Sequence, residues 1–240
     1  MTTSALIRAL EQRDKISDEE REVLEGLPAR EVEFAAGDVI VKEGSRPAVS
    51  SIVVRGTAAR SQILADGGRQ IVALHVPGDF VDLHSFLLKR MAHGVIALSS
   101  VRIAQVPHDH LRVVTERYPH LTRLLWLATL IDAAIHREWI VSIGRRNGPE
   151  RLAHLLCEMF VRLRAVGLAE DFTFPLPLTQ AELGDVIGFS VVHANRMVQI
   201  LRKEGLVRWQ DARVTILDWQ RLQDRCSFDP DYLVLEREPR

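Results

Sequence analysis

Seven consecutive residues, Ser190-Val-Val-His-Ala-Asn-Arg196, carry side chains suited to reading the edge of a base pair. Asparagine can pair bidentately with adenine, arginine with O6 and N7 of guanine, and a valine pair offers apolar surface to thymine methyl groups. On a helix, Val191, Val192, Asn195 and Arg196 share an outward face near the N-terminal half, the part of a recognition helix that enters a major groove. His193 stands beside them, within reach of a base edge or a phosphate. Thr179 and Ser190 each precede a helical stretch, where free backbone N–H groups favour a phosphate. Arg202, Lys203, Arg208 and Arg213 add cations that suit further phosphate contacts. Across 193–213 these four and Arg196 face only Glu204 and Asp211, so a basic patch sits on a chain of net charge −1. A solvated helix face can look the same residue by residue; it is the set on one face that favours base reading.

Local signals supply elements to hold that face. Thr179-Gln-Ala-Glu182 is a capping box that opens a helix through Ile187, Gly188 is a natural left-handed terminator, and Ser190 caps a second helix running to about Glu204. Leu183, Ile187, Phe189, Ala194 and Met197 fall where two crossed helices bury apolar side chains, and Gly184 supplies the small residue at the crossing. Leu206–Trp209 and Val214–Leu217 alternate around Gln210-Asp211-Ala212, which predicts a β-hairpin wing. Helix-turn-helix plus wing is the expected layout.

The rest of the chain changes texture twice. Ser17-Asp-Glu-Glu20 is a second capping box, opening a short helix. From Phe34 to about Pro107, short apolar segments alternate with turns such as Gly37-Asp38, Asp66-Gly67-Gly68 and Pro77-Gly78-Asp79, the pattern of an antiparallel β unit. After Pro119, Leu121, Leu124, Ala128, Ile131 and Ile135 keep a 3-4 spacing, the seam of a coiled coil, and are expected to form a homodimer interface. A second stripe holds Leu127, Leu130 and Ala134, with Trp126 and Trp139 nearby, so one helix could pack on its own β unit and on another chain. Gly144 to Gly148 breaks this helix, and Pro149 suits the first turn of the next. The expected architecture is α+β: an N-terminal helix and antiparallel β unit over 1–118, which the family resemblance given below makes a β-roll sensor, a dimerisation helix over 119–144, a winged helix-turn-helix over 145–222 and a tail over 223–240.

Composition limits the alternatives. At 47% hydrophobic and 26% charged, the chain can bury a core and is not wholesale disordered. No apolar run approaches the ~18 residues of a membrane span, and the N-terminus lacks a signal-peptide core, so a reducing cytoplasm is expected. Two cysteines, Cys157 and Cys226, exclude a disulfide framework and any cluster held by four thiolates.

A β-roll with Gly37-Asp38 and Pro77-Gly78-Asp79-Phe80 turns, a long helix and a C-terminal winged helix-turn-helix together resemble the Crp/Fnr family of bacterial transcription regulators, over about residues 16–222. The resemblance implies a homodimer on a two-fold symmetric DNA site that recruits or blocks RNA polymerase. Arg196 matches the family's base-reading arginine, whereas Val192 stands where many members carry a glutamate, which implies a shifted half-site. Cyclic-nucleotide-binding members hold the ribose with a Gly-Glu pair and the phosphate with an Arg-Ser pair. This chain has Asp82-Leu83 and Ala92-His93 there, so cyclic AMP binding is not expected. Asp82, Leu83, His84 and His93 mark a possible effector pocket. The oxygen-sensing branch needs an N-terminal cysteine cluster, and residues 1–30 contain no cysteine. His84 also lies where a carbon-monoxide-sensing branch places a haem ligand, although Asp82 replaces that branch's cysteine; a hydrogen-bonded structural histidine is the preferred reading. No cofactor is expected.

Other chemistries leave weaker traces. His75, His93, His108 and His110 invite a metal, and His108-Asp-His110 resembles half of a cupin motif, but Arg102 and Glu116 break the remaining pattern. There is no P-loop, nucleophile elbow or HExxH, so neither catalytic residues nor a metal site are assigned. Cys157 sits on an apolar helix face and is expected to be packed rather than reactive. The alternatives to a regulator are a β-roll metalloprotein or cupin-like enzyme, and an interaction module whose DNA-binding half is vestigial.

Overall fold

Seven strands in the first half of the chain pair in two antiparallel sheets, and every connection but that between the fifth and sixth strands is too short for a βαβ crossover. In the computed structural model, which describes residues 2–240, β1 (Arg30–Phe34), β7 (Val101–Pro107) and β3 (Val49–Arg55) form one sheet in that order. β2 (Val39–Val41), β6 (Gly94–Ala97), β4 (Ala58–Ile63) and β5 (Arg69–His75) form the other. Turns of the predicted type close the roll: Gly37, Gly56, Gly67 and Gly78 all adopt positive φ. At Gly78 a Cβ would stand 2.7 Å from the Ala5 carbonyl oxygen, so this turn must lie flat against the N-terminal helix α1 (Ser4–Glu11). One element escapes the sequence reading: β1 begins four residues before Phe34 and reads as polar because its side chains are mostly exposed.

Helix α2 (Asp18–Glu25) has both reciprocal bonds of its capping box, Ser17 with Glu20. After α3 (Ser85–Leu88) and α4 (His108–Arg117) comes the 27-residue α5 (Pro119–Arg145), then α6 (Gly148–Ala165). At the first residue of α6, Gly148 is pinned: a Cβ there would meet Met197 Sδ at 2.4 Å. The C-terminal domain continues with β8 (Thr173–Pro175), α7 (Gln180–Ile187), α8 (Val191–Lys203), β9 (Val207–Gln210), β10 (Arg213–Ile216) and α9 (Trp219–Cys226). A 3-10 turn, Pro230–Leu233, follows. The wing is three-stranded, in the order β8-β10-β9.

Two expectations need correction. The evenly spaced stripe of α5 faces its own chain. Leu121 and Leu124 are buried against Leu6, Ile7 and Leu111, while Ile131 and Ile135 join the core shared with α6. Ala128 lines an internal cavity. Regular spacing marks an apolar seam but not whose seam it is. The apolar side chains that α5 leaves exposed are Trp126 and Leu130, then Ile140, Val141 and Ile143. The 223–240 tail is also part of the core. Cys226, Phe228 and Leu233 are buried, and Tyr232 donates its hydroxyl to Glu158 Oε2 at 2.9 Å.

Candidate nucleic-acid interface

Helices α7 and α8 meet at the turn the sequence predicts. Thr179 and Glu182 complete their capping box, Gly188 is left-handed at φ 72°, and Ser190 caps α8. Gly184 is obligatory at the crossing, since a Cβ would lie 2.6 Å from the Phe189 carbonyl oxygen. Ala194, Met197, Val198 and Leu201 turn inward. At about 100° per residue, Val191, Val192, Asn195, Arg196, Gln199 and Lys203 then span roughly 140° of the opposite face. Val192 is 77% exposed, an unusual position for an apolar side chain without a partner surface.

The predicted contact residues divide into free and engaged groups. Among the described residues, Arg196, Lys203, Arg208 and Arg213 are exposed and form no ion pair. Asn195 donates from Nδ2 to Gln180 Oε1 at 2.6 Å, so its amide is held in place by the preceding helix. His193 lies at the edge of the face, its Nδ1 2.8 Å from Ser190 Oγ. Thr179 donates its hydroxyl to Glu182 Oε2 at 2.8 Å, placing a carboxylate where a phosphate would approach. Arg202 donates to the Trp209 carbonyl and so braces the wing. The wing turn itself, Asp211-Ala212, has both residues at positive φ, the geometry of a tight type I′ hairpin.

The domain is fastened to the roll. Arg69 Nε donates to Asp185 Oδ2 at 2.7 Å, and Gln70 Nε2 to the Asp185 carbonyl at 2.6 Å. Arg151 donates to the Ile187 carbonyl at 2.6 Å and to that of Ile143 at 2.8 Å, tying the end of α7 to the end of α5.

Beneath the roll lies a cavity of about 340 Å³, walled by the roll, α1, α5, α6 and the 3-10 turn. Of the four residues expected there, Leu83, His84 and His93 line it. Asp82 does not: it is fully buried and accepts from Ser51 N at 2.5 Å. Burial pushes its carboxyl up to about 7. Burial likewise pushes His84 and His93 down to about 4, with the positive charge of Arg60 adding to the effect. Sequence reasoning missed Arg13, Arg60, Asp132, His136 and Arg162 in this wall. The available signal was Arg60 itself, an arginine directly after Ala58-Ala59 in a strand, whose side chain turns inward at a register shift.

The histidines of the His108-Asp-His110 pattern, which invites a metal in the sequence, are not brought together. His108 and His110 are in the first turn of α4, where neighbouring side chains diverge. His108 is buried beside Ser50 Oγ at 3.1 Å, and His110 is exposed. Among the described residues no group of three potential ligands could hold a metal ion. Cys157 is fully buried, its thiol pushed up by burial, in line with a packing role. No helix among the described residues is long and apolar enough to cross a membrane.

A β-roll joined through a long helix to a winged helix-turn-helix with a free reading face defines a DNA-binding transcription regulator of the cyclic-nucleotide-binding-fold type. Residues 31–118 match the family model of the cyclic nucleotide-binding domain, and residues 150–225 that of the Crp-like helix-turn-helix domain. The chain belongs to the Crp/Fnr family. It is 29% identical over 202 residues to the transcriptional activator protein FnrL of Cereibacter sphaeroides, covering 82% of this chain and 81% of that one. It is 30% identical over 193 residues to a probable transcriptional activator of Rhizobium leguminosarum bv. viciae, covering 80% and 79%. Among solved structures, FixK2 from Bradyrhizobium japonicum superposes with a TM-score of 0.76 at 24% identity, covering 85% of this chain and all of that one.

Proposed function

We propose that two copies of this chain pair along the exposed side of α5 and place two α8 helices in successive major grooves of a two-fold symmetric site. The two helices would then stand about 34 Å apart, one turn of DNA. The observation that carries this reading is the α8 face: an exposed valine pair and an unpaired guanidinium, Arg196, on a helix whose other side is core. Val191 and Val192 suit thymine methyls, Asn195 an adenine and Arg196 a guanine. Lys203, Arg208 and Arg213 suit phosphates. Trp126, Leu130 and Ile140 replace the buried stripe as the dimer surface. As in an activator, the bound dimer would act by contacting RNA polymerase in the cytoplasm.

Neither an iron–sulfur cluster nor cyclic AMP fits the residues present. Both cysteines are buried, in α6 and α9. Asp82, which stands where the resemblance puts the ribose-binding pair, is turned to Ser51 and does not line the cavity.

Selection of bound genomic fragments followed by footprinting tests the reading. Arg196→Ala should cost ~1–3 kcal/mol and relax one base pair of each half-site, while Lys203→Ala should weaken all sites alike and flatten the salt dependence. An unchanged footprint for Arg196→Ala would contradict the placement of α8.

A further inference from the structure

Residues 227–240 run from the end of α9 back across the molecule to the N-terminal helix. The near half is anchored by burial. Phe228 packs edge-on against Trp219 of α9 and His154 of α6, and Leu233 is 1% exposed. Tyr232 stacks on His154 and donates its hydroxyl to Glu158, which also accepts from Trp139 Nε1 of α5 at 3.0 Å. The far half, residues 236–239 of which are exposed, is held by hydrogen bonds. Arg237 Nε donates to the Glu11 carbonyl at 2.9 Å, and Glu238 N to the Arg13 carbonyl at 2.9 Å. Arg240 N donates to Asp14 Oδ2 at 2.5 Å. In return Arg13 Nη2 donates to the Leu233 carbonyl at 3.2 Å.

The N-terminal partners belong to the body that carries the roll. Leu6 and Ile7 of α1 share a core with Leu121 and Leu124 of α5, and the Gly78 turn of the roll lies against Ala5. Asp14 Oδ2 is also 3.1 Å from His120 Nε2, in the first turn of α5. The segment therefore bridges the two sides of the Gly144–Gly148 joint: α6 and α9 on one, α1 with the roll and α5 on the other. Both partners lie outside the stretches that match the family's two domains, so the family resemblance does not predict their contact. A turn of the DNA-binding domain about the joint, with α1 in place, would break these four bonds.

Singly such bonds are worth little, because water competes for the same groups. Burial of Phe228 and Leu233 keeps the far half close to α1, so the bonds form as intramolecular contacts at high effective concentration. The segment leaves the reading face uncovered, since Val192 and Arg196 stay exposed. Its effect then falls on where α8 points and not on which bases it meets. A second half-site is also engaged intramolecularly, and heads held at a fixed angle suit one separation only. Loosely held heads tolerate other separations and pay an ordering cost at the right one.

We propose that residues 236–240, docked on α1, strap the DNA-binding domain at one angle to the roll and so set the half-site spacing that the dimer accepts. The spacing claim rests on the two-fold DNA reading given above; the strap itself does not.

Deletion of residues 236–240 tests both, because it leaves Phe228, Tyr232 and Leu233 in place. Hydrogen exchange without DNA should quicken several-fold across 142–151, the joint, while α7 and α8 keep their rates. Fluorescence anisotropy then compares a selected two-fold site, the same site with two base pairs inserted between its halves, and a single half-site. The full chain should prefer the correct spacing at least tenfold. The deletion should shrink that preference at least threefold and hold half-site affinity within twofold. Should the deletion fail to fold, Glu238→Pro removes the amide donor to Arg13 and should shift both readouts the same way. Unchanged exchange at the joint would overturn the strap whatever the DNA result. Quickened exchange with an unchanged spacing preference, or with an equal loss at the half-site, would overturn the spacing claim. A full chain indifferent to spacing would instead overturn the two-fold reading, and the spacing claim with it.

Discussion

Replacing Gly184 by alanine should damage the reading head, whereas the same change at Gly144 should not. Both glycines lie in helices, Gly184 within α7 and Gly144 in the last turn of α5. Alanine is intrinsically favoured over glycine in a helix interior by about 0.8–1.0 kcal/mol, so each substitution carries a gain of up to that size. At Gly144 nothing lies within 4 Å of the new Cβ, and the gain stands alone. At Gly184 the Cβ meets the Phe189 carbonyl oxygen at 2.6 Å and the backbone of Ser190 and Val191 at 3.6 Å. Backbone cannot rotate away like a side-chain tip, so the turn must open by several tenths of an ångström. Overpacking of this kind costs about 1–3 kcal/mol. Because the helix preference largely cancels between the two variants, their difference in urea-unfolding free energy should be about 1–3 kcal/mol, with Gly144→Ala the more stable. The opened turn also shifts Ser190, the cap of α8, so Gly184→Ala should lose affinity for a selected DNA fragment in fluorescence anisotropy. Equal stability of the two variants, together with undiminished DNA binding by Gly184→Ala, would refute the reasoning.

If two copies pair through α5 as proposed, Leu130→Glu should leave only monomers in light scattering without lowering the monomer's stability, because Leu130 is 50% exposed. Leu124→Glu should instead unfold the protomer, because Leu124 is buried. Asp82 gives a pH test whose sign is fixed by burial. Its carboxyl titrates at about 7 in the fold and about 3.9 unfolded, so the native state binds the proton more tightly and stability from this group is lost as pH rises from about 4 to 7. The slope is up to about 1.4 kcal/mol per pH unit, and Asp82→Asn should remove it in urea titrations at pH 5 and 7.5. Calorimetric titration with cyclic AMP should show no micromolar binding; such binding would mean that Arg60 or Arg13 supplies the missing phosphate clamp.

The helix-turn-helix was legible because its constraints are local: a cap at Thr179, a left-handed Gly188, a cap at Ser190 and a core spacing that spans one turn. The strands of the roll were legible from their turns for the same reason. What periodicity could not settle was partner identity. Leu121 and Leu124 look like a dimer seam, yet that seam is closed by α4, the element just before it, and by α1, which is far away in sequence. The tail was misjudged because Phe228 and Leu233 have no periodic neighbours; their burial depends on α6. The cavity was half legible. His84 and His93 stood out through the family resemblance, whereas Arg60 and Arg162 reach it from β4 and α6, and only the tertiary fold brings them together.

Strand β5 has one end against α7, through Arg69 and Gln70, and the other in the cavity wall, through His75. Its seven residues span about 20 Å, with a register shift against β4 at Arg60–Ser61 on the way. The cavity wall therefore has a route to the reading head that does not pass through the Gly144–Gly148 joint. Trimming the Arg69–Asp185 latch should loosen the hold of the roll on α7 through a residue that lies outside both the cavity and the α8 face.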